Sequence, residues 1–215
     1  MVMHNLPYHA APFVNRVSEI AEITHRLNDP DCHLLTLVGP GGIGKTRLAI
    51  QVAANCAEQF DDGVYFVPLQ PLDSPQFIVS TIADIVSFQF SLGGDLTQQL
   101  LQYFREKALL LVLDNFEHLL DGIELLTEML EAAPNIKLMV TSREVLKLQE
   151  EWLYPVRGLR YPKLIHYNRL GKGRHFAVWE QPDLFVSELR TAFKSLRYWG
   201  LMVDRESERL DLEEV

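Results

Sequence analysis

The stretch TLVGPGGIGKTRLA, residues 36–49, decides the fold. Its central part, residues 39–46, fits the pattern G-x-x-x-x-G-K-[ST] at every fixed position. The apolar run 33–38 precedes the glycines, and apolar residues spaced three and four apart follow between residues 45 and 60. A strand, a glycine loop and a helix in this order predict a loop whose backbone N–H groups surround phosphate. The alternative is a glycine-rich turn that only resembles the pattern.

Each residue type in this loop has a chemical reason. Glycines let successive N–H groups turn inward and form an anion nest, and the helix that follows points its positive end at the phosphates. The Lys45 ammonium can reach β- and γ-phosphates, and the Thr46 hydroxyl can complete the coordination of Mg²⁺. The nucleotide-binding set predicted in this loop is Gly39, Gly41, Gly42, Gly44, Lys45, Thr46 and Arg47.

Strand and helix patterns alternate on both sides of this motif. Further strands are predicted at 63–69, 108–113, 136–141 and 152–156, and helices at 74–86, 96–105 and 121–133. Several strands are apolar on both faces, which is typical of a parallel sheet covered by helices on both sides. The fold class predicted is therefore α/β, a three-layer P-loop NTPase sandwich whose ligands bind beyond the carboxyl ends of the strands.

Two polar positions follow apolar strands. Asp114 ends the run 108–113 and suits a second metal contact, usually held through water, although Asp also caps turns and helices. Thr141, Ser142 and Arg143 follow the next strand. If that strand lies between the other two, Arg143 lies beside the γ-phosphate; otherwise it is a solvated residue in a helix capped by Ser142. Lys45, Asp114 and Arg143 are the predicted catalytic residues, and Thr46 and Asp114 the predicted metal ligands.

Composition excludes several classes of protein. With 215 residues, 47% hydrophobic and 23% charged, the chain is long enough for one full globular domain. The net charge of −9 argues against a general nucleic-acid surface, and the longest strongly apolar run, 108–113, is too short to cross a membrane. Two cysteines outside any metal-ligand spacing, and no signal-peptide pattern, favour the cytoplasm.

Five stretches carry a resemblance to a known family: FVNRVSEI at 13–20, residues 36–49, LLVLDNFEHL at 110–119, KLMVTSRE at 137–144 and WLYPVRGL at 152–159. They resemble the nucleotide-binding domain of STAND-class signalling ATPases, which include NB-ARC proteins and large bacterial regulators with a LuxR-type helix-turn-helix. The family's usual Gly is replaced by Asn15. The resemblance implies that Arg16 lies near the nucleotide base, which adds Arg16 to the predicted nucleotide-binding residues.

The same resemblance implies a switch that holds ADP when closed, exchanges it for ATP to open and assemble, and is reset by slow hydrolysis. Partners would be nucleotide, and other proteins or further copies of the chain. Asn115 stands where other branches of the class have a second acid, so Glu117 is a candidate to orient the attacking water unless it only faces solvent. A non-catalytic interaction module with a structural nucleotide is the main alternative.

The family pattern stops after Leu159, without the helical lid or winged helix that the family has next. Net charge changes from −10 over residues 1–159 to +5 over 160–198 and −4 over 199–215. Residues 173–197 resemble the C-terminal end of epoxide hydrolases, with His175 at the position of the general base. No G-x-S-x-G elbow accompanies it, so the sequence lacks the nucleophile that a hydrolase of this kind needs. Three parts are predicted: a nucleotide-binding domain, 1–159; a hydrolase-like strand–loop–helix fragment, 160–198; and an acidic tail, 199–215.

Overall fold

The computed structural model of the chain describes residues 3–8 and 16–158, together with Val186. Contacts between Cα atoms divide the chain into two units, Met1–Leu159 and Arg160–Val215. The predictions for the hydrolase-like fragment, for His175, for Asn15 and for the acidic tail lie outside the described residues. In the described part of the chain, no helix combines the length and the apolar character needed to cross a bilayer.

Helices and strands alternate through the described part of the first unit. The strands are β1 (Leu34–Val38), β2 (Val64–Pro68), β3 (Leu110–Asp114), β4 (Lys137–Ser142) and β5 (Glu151–Pro155). The helices are α1 (Val17–Leu27), α2 (Lys45–Cys56), α3 (Ile78–Ile85), α4 (Leu96–Phe104) and α5 (Glu124–Ala132). Short 3₁₀ turns lie at Ala57–Gln59, Pro75–Phe77, Phe116–His118 and Leu120–Gly122. These bounds agree with the sequence pattern within a few residues at most ends.

The five strands form one parallel sheet in the order β2-β3-β4-β1-β5. The predicted α/β fold with a parallel sheet is therefore confirmed. β4 lies between β1 and β3, which is the strand order under which Arg143 is predicted to lie beside the γ-phosphate. In the register of β1 and β4, Val38 pairs with Ser142, so the carboxyl ends of both strands meet at one edge. Asp114 ends β3 at that same edge.

Both faces of the sheet are covered. Alternate residues of each strand point to opposite faces, so they enter different cores. Leu34, Leu111 and Val140 pack in one core, which includes buried residues of α3, α4 and α5. Leu35, Val112 and Met139 pack in the other, with buried residues of α1 and α2. A strand buried on both faces favours apolar residues at nearly every position, and in β1 and β3 only Thr36 and Asp114 depart from this pattern. The sheet is thereby a rigid base for the loops at its edge.

Three predicted helices differ from those in the structure in the way they begin or end. α2 stops at Cys56 and its last turn, at 57–59, tightens into a 3₁₀ turn. The predicted helices 74–86 and 121–133 both begin with 3₁₀ turns, so their α-helical parts start only at Ile78 and Glu124. Tightened turns are common at helix ends, and apolar periodicity does not distinguish them. α1 was not predicted at all.

Candidate functional site

The glycine loop joins β1 to α2 at the carboxyl edge of the sheet. Gly42 and Gly44 have φ values of 75° and 91°, a left-handed conformation that side chains rarely adopt. Gly44 is also the N-cap of α2, so the loop turns into the helix with its N–H groups unblocked by a side chain. The positive end of α2 and the backbone of the loop have the arrangement that the anion site predicted for residues 39–46 requires.

Lys45 folds its side chain back across this loop. Its Nζ atom donates to the carbonyl oxygens of Gly39 at 2.7 Å and Pro40 at 3.2 Å, and the residue is buried. Burial lowers the pKa of Lys45, while the negative charge of Glu117 acts in the opposite direction. The ammonium is thus held at the centre of the loop, next to the helix N-terminus, where a phosphate group would lie.

Asp114 is oriented by the neighbouring strand. It is buried, and its Oδ1 atom accepts a 2.6 Å hydrogen bond from the hydroxyl of Thr141 on β4. The same hydroxyl accepts a 2.9 Å bond from the backbone N–H of Asn115. Asn115 has φ of 67°, so the chain turns sharply as soon as β3 ends. Sequence reasoning missed Thr141 as the partner of Asp114, although a hydroxyl at the end of an apolar strand is a visible signal.

Arg143 does not lie in a helix, since residues 143–144 form a bend after β4. The alternative of a helix capped by Ser142 is therefore wrong; the Ser142 hydroxyl instead accepts a bond from the N–H of Glu144. The guanidinium forms a 2.8 Å ion pair with Glu117. It also lies beside Gly41, because a Cβ atom placed on this glycine would be 3.5 Å from the guanidinium carbon, which is van der Waals contact. Arg143 thus faces the glycine loop from across the sheet edge.

Glu117 does not simply face solvent. Only 13% of its side chain is exposed, and it lies in the 3₁₀ turn Phe116–His118 directly after Asp114 and Asn115. Its Oε1 atom contacts Arg143, while Oε2 is buried without a hydrogen-bond partner. The sequence marked Glu117 as a candidate, but its pairing with Arg143 depends on β3 and β4 being neighbours.

Arg16 lies against the other side of the glycine loop. This buried residue donates from Nη2 to the carbonyl oxygen of Ile43 at 2.7 Å. The same nitrogen lies beside Gly44, since a Cβ atom placed on that glycine would be 3.9 Å away. Its Nη1 atom is buried without a hydrogen-bond partner, 3.7 Å from a carboxylate oxygen of Glu19. An unused buried donor at the end of the loop fits a residue that contacts bound nucleotide.

Thr46 and Arg47 occupy the first turn of α2 and are both partly buried. Thr46 and Asp114 together offer a hydroxyl and a carboxylate beside the loop. Oxygen donors of this kind fit Mg²⁺, which keeps several waters and takes its other ligands from substrate phosphates. The structure thus brings every predicted phosphate, metal and catalytic residue to one edge of the sheet.

Comparison with known proteins agrees with this arrangement. A protein of Mycobacterium tuberculosis named "Putative HTH-type transcriptional regulator" is 39% identical over 125 residues, which cover 57% of this chain and 14% of that protein. Among solved structures, a Signal Transduction ATPase with Numerous Domains (STAND) protein of Pyrococcus horikoshii superposes with a TM-score of 0.54. It is 16% identical, with 74% of this chain and 25% of that one covered, and therefore shows the fold alone.

A second, shorter likeness concerns a different fold. A protein of Stigmatella aurantiaca named "Putative epoxide hydrolase" is 41% identical over 58 residues, which are 27% of this chain and 12% of that protein. The predicted likeness of a short segment to epoxide hydrolases is thus confirmed. The chain spans about one-seventh of the length of the regulator relative that it matches.

The wider match decides the family. Residues 29–145 match the family described as AAA domain. The matched range begins before β1, contains the whole glycine loop and ends two residues after Arg143. It is more than half of the chain, and it confirms the resemblance to P-loop ATPases that the sequence indicates. The chain belongs to the AAA domain family, with a P-loop ATPase domain as its described core.

Proposed function

We propose that this protein is a Mg²⁺-dependent switch that binds ATP and ADP and hydrolyses ATP slowly. The observation that carries the proposal is the ammonium of Lys45, held by loop carbonyls at 2.7 and 3.2 Å and enclosed by left-handed glycines at a helix N-terminus. When phosphate is present, this ammonium can exchange those carbonyls for phosphate oxygens without moving far.

The roles of the other residues follow from their places around the loop. Gly39, Gly41, Gly42 and Gly44 supply backbone N–H groups to the phosphates, with Arg16 and Arg47 at the edges of the nucleotide. Thr46 and Asp114 would hold Mg²⁺, which would neutralise part of the phosphate charge. Arg143 reads the γ-phosphate, because it faces Gly41 from the end of β4.

The regulator name of the mycobacterial relative supports a role in signalling or transcriptional control. A switch of this kind acts in the cytoplasm by changing which surfaces are available to partner proteins or to further copies of the chain. NB-ARC-like behaviour, with ADP retained in a closed state, belongs to this proposal and not to the family assignment. DNA binding is not proposed.

The test of nucleotide binding compares the wild-type chain with Lys45→Ala. We expect Lys45→Ala to weaken ADP and Mg·ATP binding by about 100-fold, because a charge-assisted phosphate contact is worth about 3 kcal/mol. Arg105→Ala, an exposed cation at the end of α4, is the control and keeps wild-type affinity. Titration of a fluorescent ADP analogue measures both. Equal affinity in wild type and Lys45→Ala would contradict the proposal.

A non-catalytic module with a structural nucleotide is the second candidate. Asn115 favours it, since an amide next to Asp114 cannot take a proton from water. This candidate predicts tight ADP retention and no release of phosphate. Phosphate release that Asp114→Ala abolishes would rule it out. A remnant hydrolase is the third candidate, and only turnover of an epoxide that His175→Ala removes would support it.

A further inference from the structure

Glu117 is held in place from both sides of its turn. Phe116 is fully buried, and the His118 ring bridges the Leu72 carbonyl oxygen at 2.9 Å and the Asn115 side-chain amide at 3.2 Å. With its two neighbours fixed in this way, the backbone of Glu117 is anchored directly beyond the end of β3. Its carboxylate is therefore attached at this edge of the sheet whether or not it is paired.

The two carboxylate oxygens of Glu117 have different surroundings. Oε1 lies 2.8 Å from the Arg143 Nε atom, whereas Oε2 is buried and accepts no hydrogen bond. A buried acceptor without a partner is costly, and such groups persist where a function uses them. A water molecule that donates a proton to Oε2 would satisfy it.

Glu117 also lies close to the residues that would bind phosphate. Among the charges that act on the pKa of Lys45, that of Glu117 is the strongest, ahead of those of Arg143 and Asp114. The Arg143 guanidinium lies over Gly41, so an anion in the loop meets this cation at once. Such an anion must compete with Glu117 for Arg143, and 63% of the Arg143 side chain is exposed and can turn.

We propose that Glu117 is the catalytic base for ATP hydrolysis and that Arg143 holds it inactive until a γ-phosphate takes Arg143 away. This inference rests on the proposed function. ADP has no γ-phosphate, so with ADP the ion pair stays closed. With ATP, Arg143 turns from Glu117 to the γ-phosphate, and the freed carboxylate orients water.

The chemical step is a hydrolysis that balances without a further reactant. The water oxygen forms a bond to the γ-phosphorus, and the bond from that phosphorus to the β–γ bridging oxygen breaks. ADP leaves with the bonding electron pair, and the Glu117 carboxylate takes the proton of the water and later returns it to solvent. Arg143 neutralises charge on the γ-oxygens, which couples release of the base to the arrival of its substrate.

The experiment uses the 215-residue chain as wild type, Glu117→Gln, Arg143→Ala and the double variant. Single-turnover assays with radiolabelled ATP measure phosphate release, and calorimetry measures the affinities for ADP and Mg·ATP. We expect Glu117→Gln to lower the hydrolysis rate about 100-fold or more, as loss of a general base does. Its ADP affinity stays within about threefold of wild type, and its preference for ATP over ADP rises because Arg143 is free.

Arg143→Ala should lose the preference for ATP, and adding Glu117→Gln to it should change that preference no further. Glu128→Gln, an exposed acid on α5, is the matched control and behaves as wild type. Glu117→Asp keeps a carboxylate and should retain more rate than Glu117→Gln. Thermal unfolding of each variant checks that it is folded. If Glu117→Gln is not folded, Glu117→Asp is compared with wild type in its place.

The outcomes separate this inference from the proposed function. Hydrolysis by Glu117→Gln within about threefold of wild type would show that Glu117 is not the base. An unchanged ATP preference in Glu117→Gln would show that Arg143 does not turn from Glu117 to the γ-phosphate. Binding without turnover by wild type would also overturn the inference while leaving nucleotide binding intact. Absence of any nucleotide binding by wild type would instead remove the proposed function itself.

Discussion

Two glycines of the phosphate loop are required for different physical reasons. Gly44 has φ of 91° and begins α2, so a side chain there would strain the backbone. Gly39 needs its small size instead, because a Cβ at this position would lie 2.9 Å from the carbonyl oxygen of Val156. Val156 is near only because β5 runs beside β1, with Val156 N–H bonded to the Val38 carbonyl at 2.8 Å. Local sequence shows the first reason and not the second.

Asp62 is a residue whose charge should stabilise the fold in a pH-dependent way. Its carboxylate accepts from Lys107 Nζ at 2.7 Å and from the Ala108 N–H at 2.8 Å, and these bonds lower the pKa of Asp62. A lowered folded-state pKa means stability that is present at neutral pH and is lost as pH falls through that pKa. We expect Asp62→Asn to cost about 1 kcal/mol in free energy of unfolding at pH 7.

Urea unfolding at several pH values tests the Asp62 prediction. The difference between wild type and Asp62→Asn should be constant above about pH 5. It should shrink as pH falls below the ordinary aspartate pKa and then through the lower pKa of folded Asp62. Asp61→Asn, an exposed neighbour in the same turn, is the control and has little effect. A difference between wild type and Asp62→Asn that does not depend on pH would contradict this account.

Whole elements were predictable where a pattern repeats over several residues. All five strands were found because each is short, apolar and followed by a polar or turn residue. α1 was missed although Ile20, Ile23 and Leu27 have helical spacing and pack in the core beside α2. The 3₁₀ turns before α3 and α5 could not be predicted, since the choice between 3₁₀ and α geometry depends on what each turn packs against.

The N-cap residue of α4 allows the contribution of a helix cap to stability to be measured on a single helix. The side chain of Asp95 accepts a 3.0 Å hydrogen bond from the Gln98 N–H at the start of this nine-residue helix. Short helices depend on such caps, and we expect Asp95→Ala to lower the free energy of unfolding by about 1 kcal/mol. Asp84→Ala, an exposed acid near the end of α3, is the control. Chemical denaturation that shows equal losses in both variants would refute the role of the cap.

At the scale of the whole molecule, all the proposed nucleotide contacts lie in residues 16–143. We therefore expect a chain that ends at Leu159 to bind ADP within about threefold of the affinity of the 215-residue chain. Fluorescence titration measures this, and Lys45→Ala in both lengths shows that the same site is being measured. A loss of affinity above about tenfold would mean that residues 160–215 contribute to binding.

The sequence by itself determined the phosphate loop, the α/β alternation and the acid and cation at two strand ends, because these depend on residue type and on spacing along the chain. Only the tertiary structure decided how they meet. Thr141 reaches Asp114, and Arg143 reaches Glu117, because β4 lies beside β3 in the sheet. Strand order brings together residues 26 or 27 positions apart, and no local spacing rule encodes such neighbours.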